Sequence, residues 1–314
     1  ERLYEEIDLA FARSNNQTLR FSAIAGLLFA AIISLVLTMN ITGPIRKLGR
    51  GTRSLISGEF KTRVSIQNRD ELGKLSRDFN ILAKTLDKNS ESQKQWLADI
   101  SHELRTPIAI LKSELEAVED GIREFDKETL QSLTHEVKRI NNLVNDLYEL
   151  TLADLGAMKY QMREMNIGSC LKEVIESYRD RLESSEIEIK KLINTDGAFL
   201  GDSYRLEQLF TNLIENTLRY TDSPGKLEIQ LKENKEDILI TFSDSEPGVD
   251  PDVMDKVFDR FFREELSRSR EKGGAGLGLA ICHEIVEAHS GKIKATKSEH
   301  GGLSIEISLP KGDT

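Results

Sequence analysis

The feature that most restricts the fold of this chain is an uncharged apolar segment at residues 21–39. Its length is close to the ~20 residues that a helix needs to cross the hydrocarbon layer of a membrane. A buried helix of a soluble protein is the alternative, but a helix of that kind would show a polar stripe. We therefore predict a transmembrane helix over residues 21–40, surrounded by membrane lipid, after an extracytoplasmic stub at residues 1–20.

The charges on either side of this segment predict its orientation. Residues 41–63 carry six basic residues and one acidic residue, whereas residues 1–20 carry three basic and four acidic residues. The positive-inside rule places the more basic side, and everything after it, in the cytoplasm. The sequence starts at Glu1 without an initiator methionine or a signal-like stretch, so we expect it to begin partway through a longer protein.

Composition narrows the class of protein. The chain has 314 residues, which favours two to four folded units. Its net charge of -10 argues against direct nucleic-acid binding, since that function needs a basic face. The two cysteines, Cys170 and Cys282, are far apart and lack the spacing of a zinc site or a disulfide framework. A protein partner or a small anion is the better expectation.

Two apolar series with three-four spacing follow the membrane segment. Gly43 and Pro44 are expected to stop or kink the first helix. The two short helices that follow cannot bury their apolar stripes alone, so we predict a parallel dimer that forms a four-helix bundle. Residues 41–94, with Pro44 near their start and Asp70-Glu71-Leu72-Gly73 opening the second helix, resemble a HAMP signal relay. The two series are Ile45, Leu48, Thr52, Leu55 and then Leu72, Leu75, Phe79, Leu82, Leu86.

A longer helical hairpin is predicted over residues 95–156, with its turn at Gly121. Its apolar stripe is too wide for two helices to cover, so dimerisation is again expected. The first arm carries Leu97, Ile100, Leu104, Ile108, Leu111, Leu115 and Val118, and the second carries Leu130, Leu133, Val137, Ile140, Leu143, Val144, Leu147 and Leu150.

Residues 157–314 alternate between helical and strand-like patterns. We predict an α/β sandwich in which helices cover one face of a mixed sheet. The expected helices span residues 167–182, 204–218 and 279–289, and the expected strands span residues 187–192, 227–231, 238–242, 292–296 and 303–309.

The first chemical motif lies on the first arm of the hairpin, where apolar neighbours leave His102 turned partly outward. Glu103 can accept a hydrogen bond from one ring nitrogen, which leaves the lone pair of the other free to attack. Adjacent residues do not face each other on a helix, so this contact requires Glu103 to reach around. Pro107 removes a backbone donor and is expected to bend the helix, while Thr106 shares the face of His102.

A second group of motifs indicates a nucleotide site in the α/β region. Asn212 and Asn216 lie four residues apart on a predicted helix, and amide oxygens can complete a Mg²⁺ shell of water and phosphate. Asp244 follows a strand and can accept a hydrogen bond from the amino group of adenine. The glycines of residues 273–278 precede a helix and can bring backbone N–H groups to phosphate.

The sequence motifs argue against two other nucleotide-binding folds, the P-loop fold and the Rossmann fold. The sequence contains no Gly-x-x-x-x-Gly-Lys-Ser/Thr motif, which excludes a P-loop. The glycine cluster follows a polar segment instead of a strand, so dinucleotide binding in a Rossmann fold is not expected.

The segment Ser101-His102-Glu103-Leu104-Arg105-Thr106-Pro107 resembles the H box of bacterial sensor histidine kinases. The nucleotide motifs resemble the boxes of the Bergerat ATP-binding fold. That resemblance implies a homodimeric, inner-membrane kinase with cytoplasmic kinase domains: residues 95–156 for dimerisation and phosphotransfer, and residues 157–314 for ATP binding. It further implies that ATP and Mg²⁺ are used, that His102 is phosphorylated, and that a response regulator is the partner.

The resemblance also assigns roles to residues. Glu103 would be the base, Thr106 would position water to dephosphorylate the regulator, and Asn212 and Asn216 would hold Mg²⁺. Glu246 stands where many members of the family have glycine, so a nucleotide-binding scaffold or a sensor dominated by phosphatase activity remains the alternative. The nucleotide contacts implied are Asn212, Asn216, Arg219, Tyr220, Asp244, Gly248, Phe258, Arg263, Arg268, Arg270, Gly274, Gly276, Leu277 and Gly278.

Overall fold

The computed structural model describes residues 2–65, 70–195, 198–263 and 274–311. It divides into two compact units, Glu1–Leu97 and Ala98–Thr314. The first helix, α1, spans Arg2–Leu37. A five-residue π-helical segment, Thr38–Thr42, joins it to α2, which spans Gly43–Ile56.

The helix was expected to stop or kink at Gly43 and Pro44, and it does not stop there. The N–H of Gly43 bonds to the carbonyl of Thr38, so the helix widens by one residue and continues into α2. Proline is tolerated there because it stands in the first turn of α2. The stretch Thr18–Ile56 is long and apolar enough to cross a membrane, which agrees with the predicted transmembrane helix by length and composition.

A small apolar core forms between α2 and the start of the next helix, α3, which spans Glu71–Glu119. Gly51 lies against Val64 and Phe79, so closely that a side chain at this position would overlap both. The buried members of this core are Leu48, Val64, Phe79 and Ala83. Other residues of the predicted series stay exposed in the single chain, namely Ile45, Leu75 and Leu82.

The second relay helix and the first arm of the hairpin, both predicted, are joined without a loop. Helix α3 runs for 49 residues without a break and contains both the second relay helix and the first arm of the hairpin. No glycine occurs in it after Gly73, and the polar residues 87–95 have good helix propensity or tolerate a helix, so nothing ends it. The side chain of Asp70 accepts the N–H of Gly73 and caps the start of α3, as the sequence suggests.

The second arm of the hairpin is α4, Lys127–Asp154, capped by Asp126. Gly121, at the predicted turn, has a φ of 72°. Much of the predicted apolar stripe on this hairpin is not covered by the chain itself. We call six of its side chains, each about half exposed, the open seam: Leu97, Ile108, Leu115, Leu130, Val137 and Val144.

The C-terminal region is the predicted α/β sandwich. Its five-stranded sheet has the order β2-β4-β5-β7-β6, in which β2 and β4 are parallel and the other pairs antiparallel. The strands are β2 Ile187–Ile193, β4 Gly225–Glu233, β5 Asp237–Ser245, β6 Lys292–Lys297 and β7 Gly301–Pro310. The helices are α5 Ile167–Ser177, α6 Arg179–Ser184, α7 Ser203–Tyr220 and α8 Gly278–Ala288.

One face of this sheet is apolar and carries the core. Leu227, Ile229 and Leu231 on β4 alternate with polar residues and are fully buried, and they belong to one apolar cluster with α5, α7 and α8. The sequence did not indicate a second, two-stranded sheet of β1 Arg163–Asn166 with β3 Ala198–Gly201. Strands of four residues are too short to show a period.

Candidate active site

A cavity of about 1290 Å³ lies between α4 and the α/β sandwich, within the second compact unit. Its walls come from α7, the end of β5, the segment before α8, and the polar face of α4. A cavity of this size is large enough for a nucleotide. We refer to it as the cavity.

Helix α7 supplies one wall of the cavity. Its apolar face, with Leu206, Phe210 and Ile214, is fully buried against the sheet, and this fixes the direction of the opposite face. Asn212 donates a hydrogen bond of 3.3 Å to the carbonyl of Gly278, which links α7 to the first residue of α8. The helical period then brings the predicted residues into the cavity together: Asn212, Asn216, Arg219 and Tyr220.

Asp244 lies at the end of β5 and is almost fully buried, with 7% of its surface exposed. Its carboxylate accepts the N–H of Leu303 at 2.6 Å and lines the cavity. Burial raises the pKa of Asp244 to about 7, although hydrogen bonds to the carboxylate act in the opposite direction. Gly302 is required beside it, because a Cβ there would overlap the carboxylate.

The glycine segment before α8 also faces the cavity. Helix α8 begins at Gly278 without a side-chain cap, so its first N–H groups are available to an anion. Gly276 has a φ of 68°, and its carbonyl accepts the N–H of Phe261. A Cβ at Gly274 would overlap the guanidinium of Arg219. These contacts show why glycine is needed in a segment that wraps closely around its neighbours.

The other residues predicted to contact the nucleotide differ in where they lie. Gly248 and Arg263 line the cavity, as do Gly274, Gly276, Leu277 and Gly278. Phe258 is not part of the lining; its ring lies 6.0 Å from that of His283, and Phe262 lines the cavity instead. Arg268 and Arg270 fall outside the described residues.

Glu246 is not among the described residues that line the cavity. Its side chain is exposed and lies beside Gly301, where a Cβ would come within 2.8 Å of its Cγ. The departure from the family pattern at this position therefore lies outside the described wall of the cavity.

The phosphoacceptor motif lies on α3. His102 and Thr106 are both exposed, and the hydroxyl of Thr106 donates to the carbonyl of His102 at 3.3 Å. Glu103 is half-buried and lines the cavity together with Pro107, whereas His102 does not. His102 and Glu103 thus point in different directions, as adjacent helical residues do, and their side chains form no hydrogen bond among those the structure describes.

Sequence reasoning missed the contribution of α4. Glu149 accepts from Arg205 at 2.7 Å and from Gln208 at 2.6 Å, and this ion pair is largely buried. Asp154 accepts two hydrogen bonds from Arg260, at 2.7 and 2.6 Å. The signal was present in the sequence as a polar stripe on the side of α4 away from the apolar residues, at Asn142, Asn145, Asp146 and Glu149.

Sequence reasoning also missed Glu215, a residue of α7 that lines the cavity. It accepts hydrogen bonds from Tyr178 at 2.8 Å and from Arg181 at 2.5 Å. Burial favours the protonated form, but these two donors outweigh it, so the pKa of Glu215 lies below its usual value. Glu215 is therefore ionised and paired with the guanidinium of Arg181 at this rim of the cavity.

The donors around the cavity fit ATP with Mg²⁺. A buried carboxylate stands where an amino group can donate, and an uncapped helix start and Arg219 stand where phosphates can accept. The described residues contain no cluster of three His, Cys, Asp or Glu side chains that could hold a metal alone. The amides of Asn212 and Asn216 suit an ion that takes its remaining ligands from phosphate and water.

Comparison with known families gives three matches in order along the chain. Residues 36–88 match the HAMP domain, and residues 92–156 match the His Kinase A (phospho-acceptor) domain. Residues 201–313 match the family described as histidine kinase-, DNA gyrase B- and HSP90-like ATPase.

Individual proteins are similar over much of the chain. The signal transduction histidine-protein kinase BaeS of Escherichia coli (strain K12) is 44% identical over 99% of this chain and 66% of its own length. The structure of the Acinetobacter baumannii histidine kinase AdeS covers 68% of this chain and 98% of its own, with 26% identity and a TM-score of 0.59. A histidine kinase, ThkA, solved in complex with the response regulator protein TrrA shares the fold, with 23% identity over 72% of this chain and 64% of its own and a TM-score of 0.53. The chain spans 66%, 57% and 38% of the length of three of the curated relatives it matches.

Proposed function

Because the chain belongs to the bacterial sensor histidine kinases, we propose that it transfers the γ-phosphoryl group of ATP to His102 and then to an aspartate of a separate response regulator. The observation that carries this proposal is the cavity, where Asp244, the amides of α7 and the uncapped start of α8 meet around a space of about 1290 Å³.

The residues divide the work of binding. Asp244 accepts a hydrogen bond from the amino group of adenine, which selects this base, and Gly248 lets the backbone approach the adenine ring. Arg219 and the N–H groups at the start of α8 bind phosphate oxygens. Asn212 and Asn216 would hold Mg²⁺, which neutralises charge on the phosphates when bound. Positioning and charge neutralisation supply most of the acceleration expected for such a transfer.

His102 is suited to attack because its ring is exposed. Since Glu103 points into the cavity, its role as base requires a change of rotamer or of the relative position of the hairpin and the ATP-binding region. We assign to Thr106, whose hydroxyl donates to the carbonyl of His102, the role of orienting a water for dephosphorylation of the regulator. We therefore include regulator phosphatase activity in the proposal.

Phosphorylation of the full chain in detergent with labelled Mg-ATP tests this proposal. We expect an acid-labile label that is lost in His102→Gln and kept in His300→Gln, a matched change at a histidine outside the cavity lining. Label that survives in His102→Gln would contradict the assignment, and label that is lost only in His135→Gln would move it to another histidine of the hairpin.

The phosphatase activity needs its own test. Purified phosphorylated regulator is added to the chain with ADP, and the loss of its label is followed. We expect Thr106→Ala to slow this loss while autophosphorylation continues. Equal rates for the parent and Thr106→Ala would remove the role of Thr106.

The setting of the activity is also proposed. The helix over residues 18–56 and the family matches support an inner-membrane protein with its kinase domains in the cytoplasm.

The open seam supports a homodimer, because half-exposed leucine, isoleucine and valine side chains on one hairpin need a second copy to cover them. The structure of ThkA with TrrA supports a response regulator as partner. Glu246, the residue that suggested the scaffold alternative, lies outside the described cavity lining, and this favours the kinase.

A further inference from the structure

The face of α4 that lines the cavity changes charge along its length. Glu149 and Asp146 lie at one end of this face, Asn145 and Asn142 in the middle, and Lys138 towards the other end. Because these positions are separated by three or four residues, they form one continuous stripe. We call it the graded stripe.

The acidic end of the graded stripe meets cations of the ATP-binding region. Glu149 pairs with Arg205 at 2.7 Å. Asp146 is influenced by Arg219, which lowers its pKa, but burial and the nearby Glu149 act more strongly and raise that pKa to about 6. This end is therefore matched to protein groups and offers nothing to a phosphate.

The basic end has no such match. Lys138 is exposed and lines the cavity, and it forms no ion pair among those described. Arg139 beside it lines the cavity too and lies 3.7 Å from Glu136 on its own helix. Glu103 and Pro107, on the facing helix beside His102, also line the cavity, and the hydrogen bond from Ser132 to Glu114 sets a hairpin register that puts Pro107 roughly level with Arg139.

Resting on the proposed function, we propose that Lys138, supported by Arg139, is a further catalytic residue that neutralises the γ-phosphoryl group during its transfer to His102. In this step the bond from the γ-phosphorus to the bridging oxygen of ATP breaks, and ADP leaves with the electron pair. A bond from the same phosphorus to an imidazole nitrogen of His102 forms, and the proton of the ring passes to Glu103 or water.

The charge on the transferred group explains why this end is basic. The phosphoryl group keeps its negative oxygens throughout the transfer, and a cation near the acceptor lowers the energy of the transition state more than that of bound ATP. The binding contacts of ATP, at Asp244 and α8, lie on other walls of the cavity. Lys138 is thus expected to affect the turnover number and not the affinity for ATP.

The test compares Lys138→Gln and Lys138→Arg with Lys127→Gln in the full chain. Lys127 is an exposed lysine of the same helix that does not line the cavity. Initial rates of autophosphorylation are measured over a range of ATP concentrations, without regulator, and ATP affinity is measured separately with a fluorescent analogue. Because Lys138 is exposed, we expect every variant to fold, and thermal unfolding checks this.

We expect kcat to fall by roughly tenfold to a hundredfold in Lys138→Gln, with KM for ATP within about twofold of the parent. Lys138→Arg should retain most of the rate because it keeps the charge, and Lys127→Gln should match the parent. A parent rate in Lys138→Gln overturns the inference, and so does a loss confined to ATP affinity. Absence of a His102-dependent label in the parent itself refutes the proposed function and, with it, this inference.

Discussion

Replacing Asp244 by Asn should stabilise the ATP-binding region at neutral and basic pH while weakening ATP binding. The carboxyl is 7% exposed, and its pKa is raised from 3.8 to about 7 mainly by burial. A raised folded-state pKa means that the folded state holds its proton more tightly than the unfolded state. The stability gained from that proton is complete below pH 4 and is lost as the pH rises to about 7.

The size of this effect follows from the shift. The change from 3.8 to about 7 corresponds to about 4 kcal/mol of unfolding free energy between pH 4 and pH 8. An Asn side chain cannot ionise, and its oxygen can still accept the N–H of Leu303. The difference between Asp244→Asn and the parent should therefore be small at pH 4 and approach about 4 kcal/mol in favour of the variant at pH 8.

Pulse proteolysis of the full chain in detergent, across a urea series at several pH values, measures this difference. Asp237→Asn at the start of the same strand is the matched control, because Asp237 is only partly buried. Comparing each variant with the parent at one pH cancels the contributions of other titrating groups. A constant difference between pH 4 and pH 8, or a variant that is less stable at pH 8, would refute the reasoning. In the same samples we expect ATP affinity at pH 8 to fall at least about tenfold in Asp244→Asn, since a charged acceptor is lost.

Three further changes follow from the structure. Gly276→Ala should weaken ATP binding and lower the free energy of unfolding by at least about 1 kcal/mol, because φ is 68° and a Cβ would overlap the backbone of Phe261 and Phe262. Gly278→Ala is the control, since a Cβ there meets nothing closer than 3.9 Å, and it should have a small effect in nucleotide-binding and melting assays. Glu246→Gly should leave ATP affinity unchanged in a titration, and a large gain would show that this side chain reaches the nucleotide. Burial lowers the pKa of His289, whose ring nitrogen accepts the N–H of Asp202 at 3.0 Å. The stability that neutral His289 contributes is therefore present above the unfolded pKa of 6.5 and is lost as the pH falls through the lower folded pKa. In the urea series, His289→Gln should reduce this loss of stability at acidic pH.

The sequence predicted most of the large elements because their apolar periods are strong. Strands such as β4, with Leu227, Ile229 and Leu231 on one face, could be recognised from alternation alone. The boundary between the relay and the hairpin could not, because a continuous helix and two separate helices share the same period. The short β1 and β3 and the widened turn at residues 38–42 depend on backbone geometry that no side-chain pattern records.

The candidate site shows the same division. Asn212, Asn216, Asp244 and the glycines were recognisable because each is tied to a turn, a strand end or a helix start. Phe258, named as a nucleotide contact, does not line the cavity, since its motif fixes a position in the chain but not the direction of the ring. The graded stripe was missed because it becomes part of a site only when α4 faces the ATP-binding region.

The open seam has a consequence for how such a protein responds to its own abundance. The six apolar side chains of the open seam are about half exposed in the part of the chain that the structure describes, and the proposed pairing with a second copy would bury them. At a high concentration of the protein in the membrane nearly every copy would be dimeric, whereas at a low concentration some copies would remain monomeric. Signal output per molecule should therefore climb steeply with expression level before it reaches a plateau.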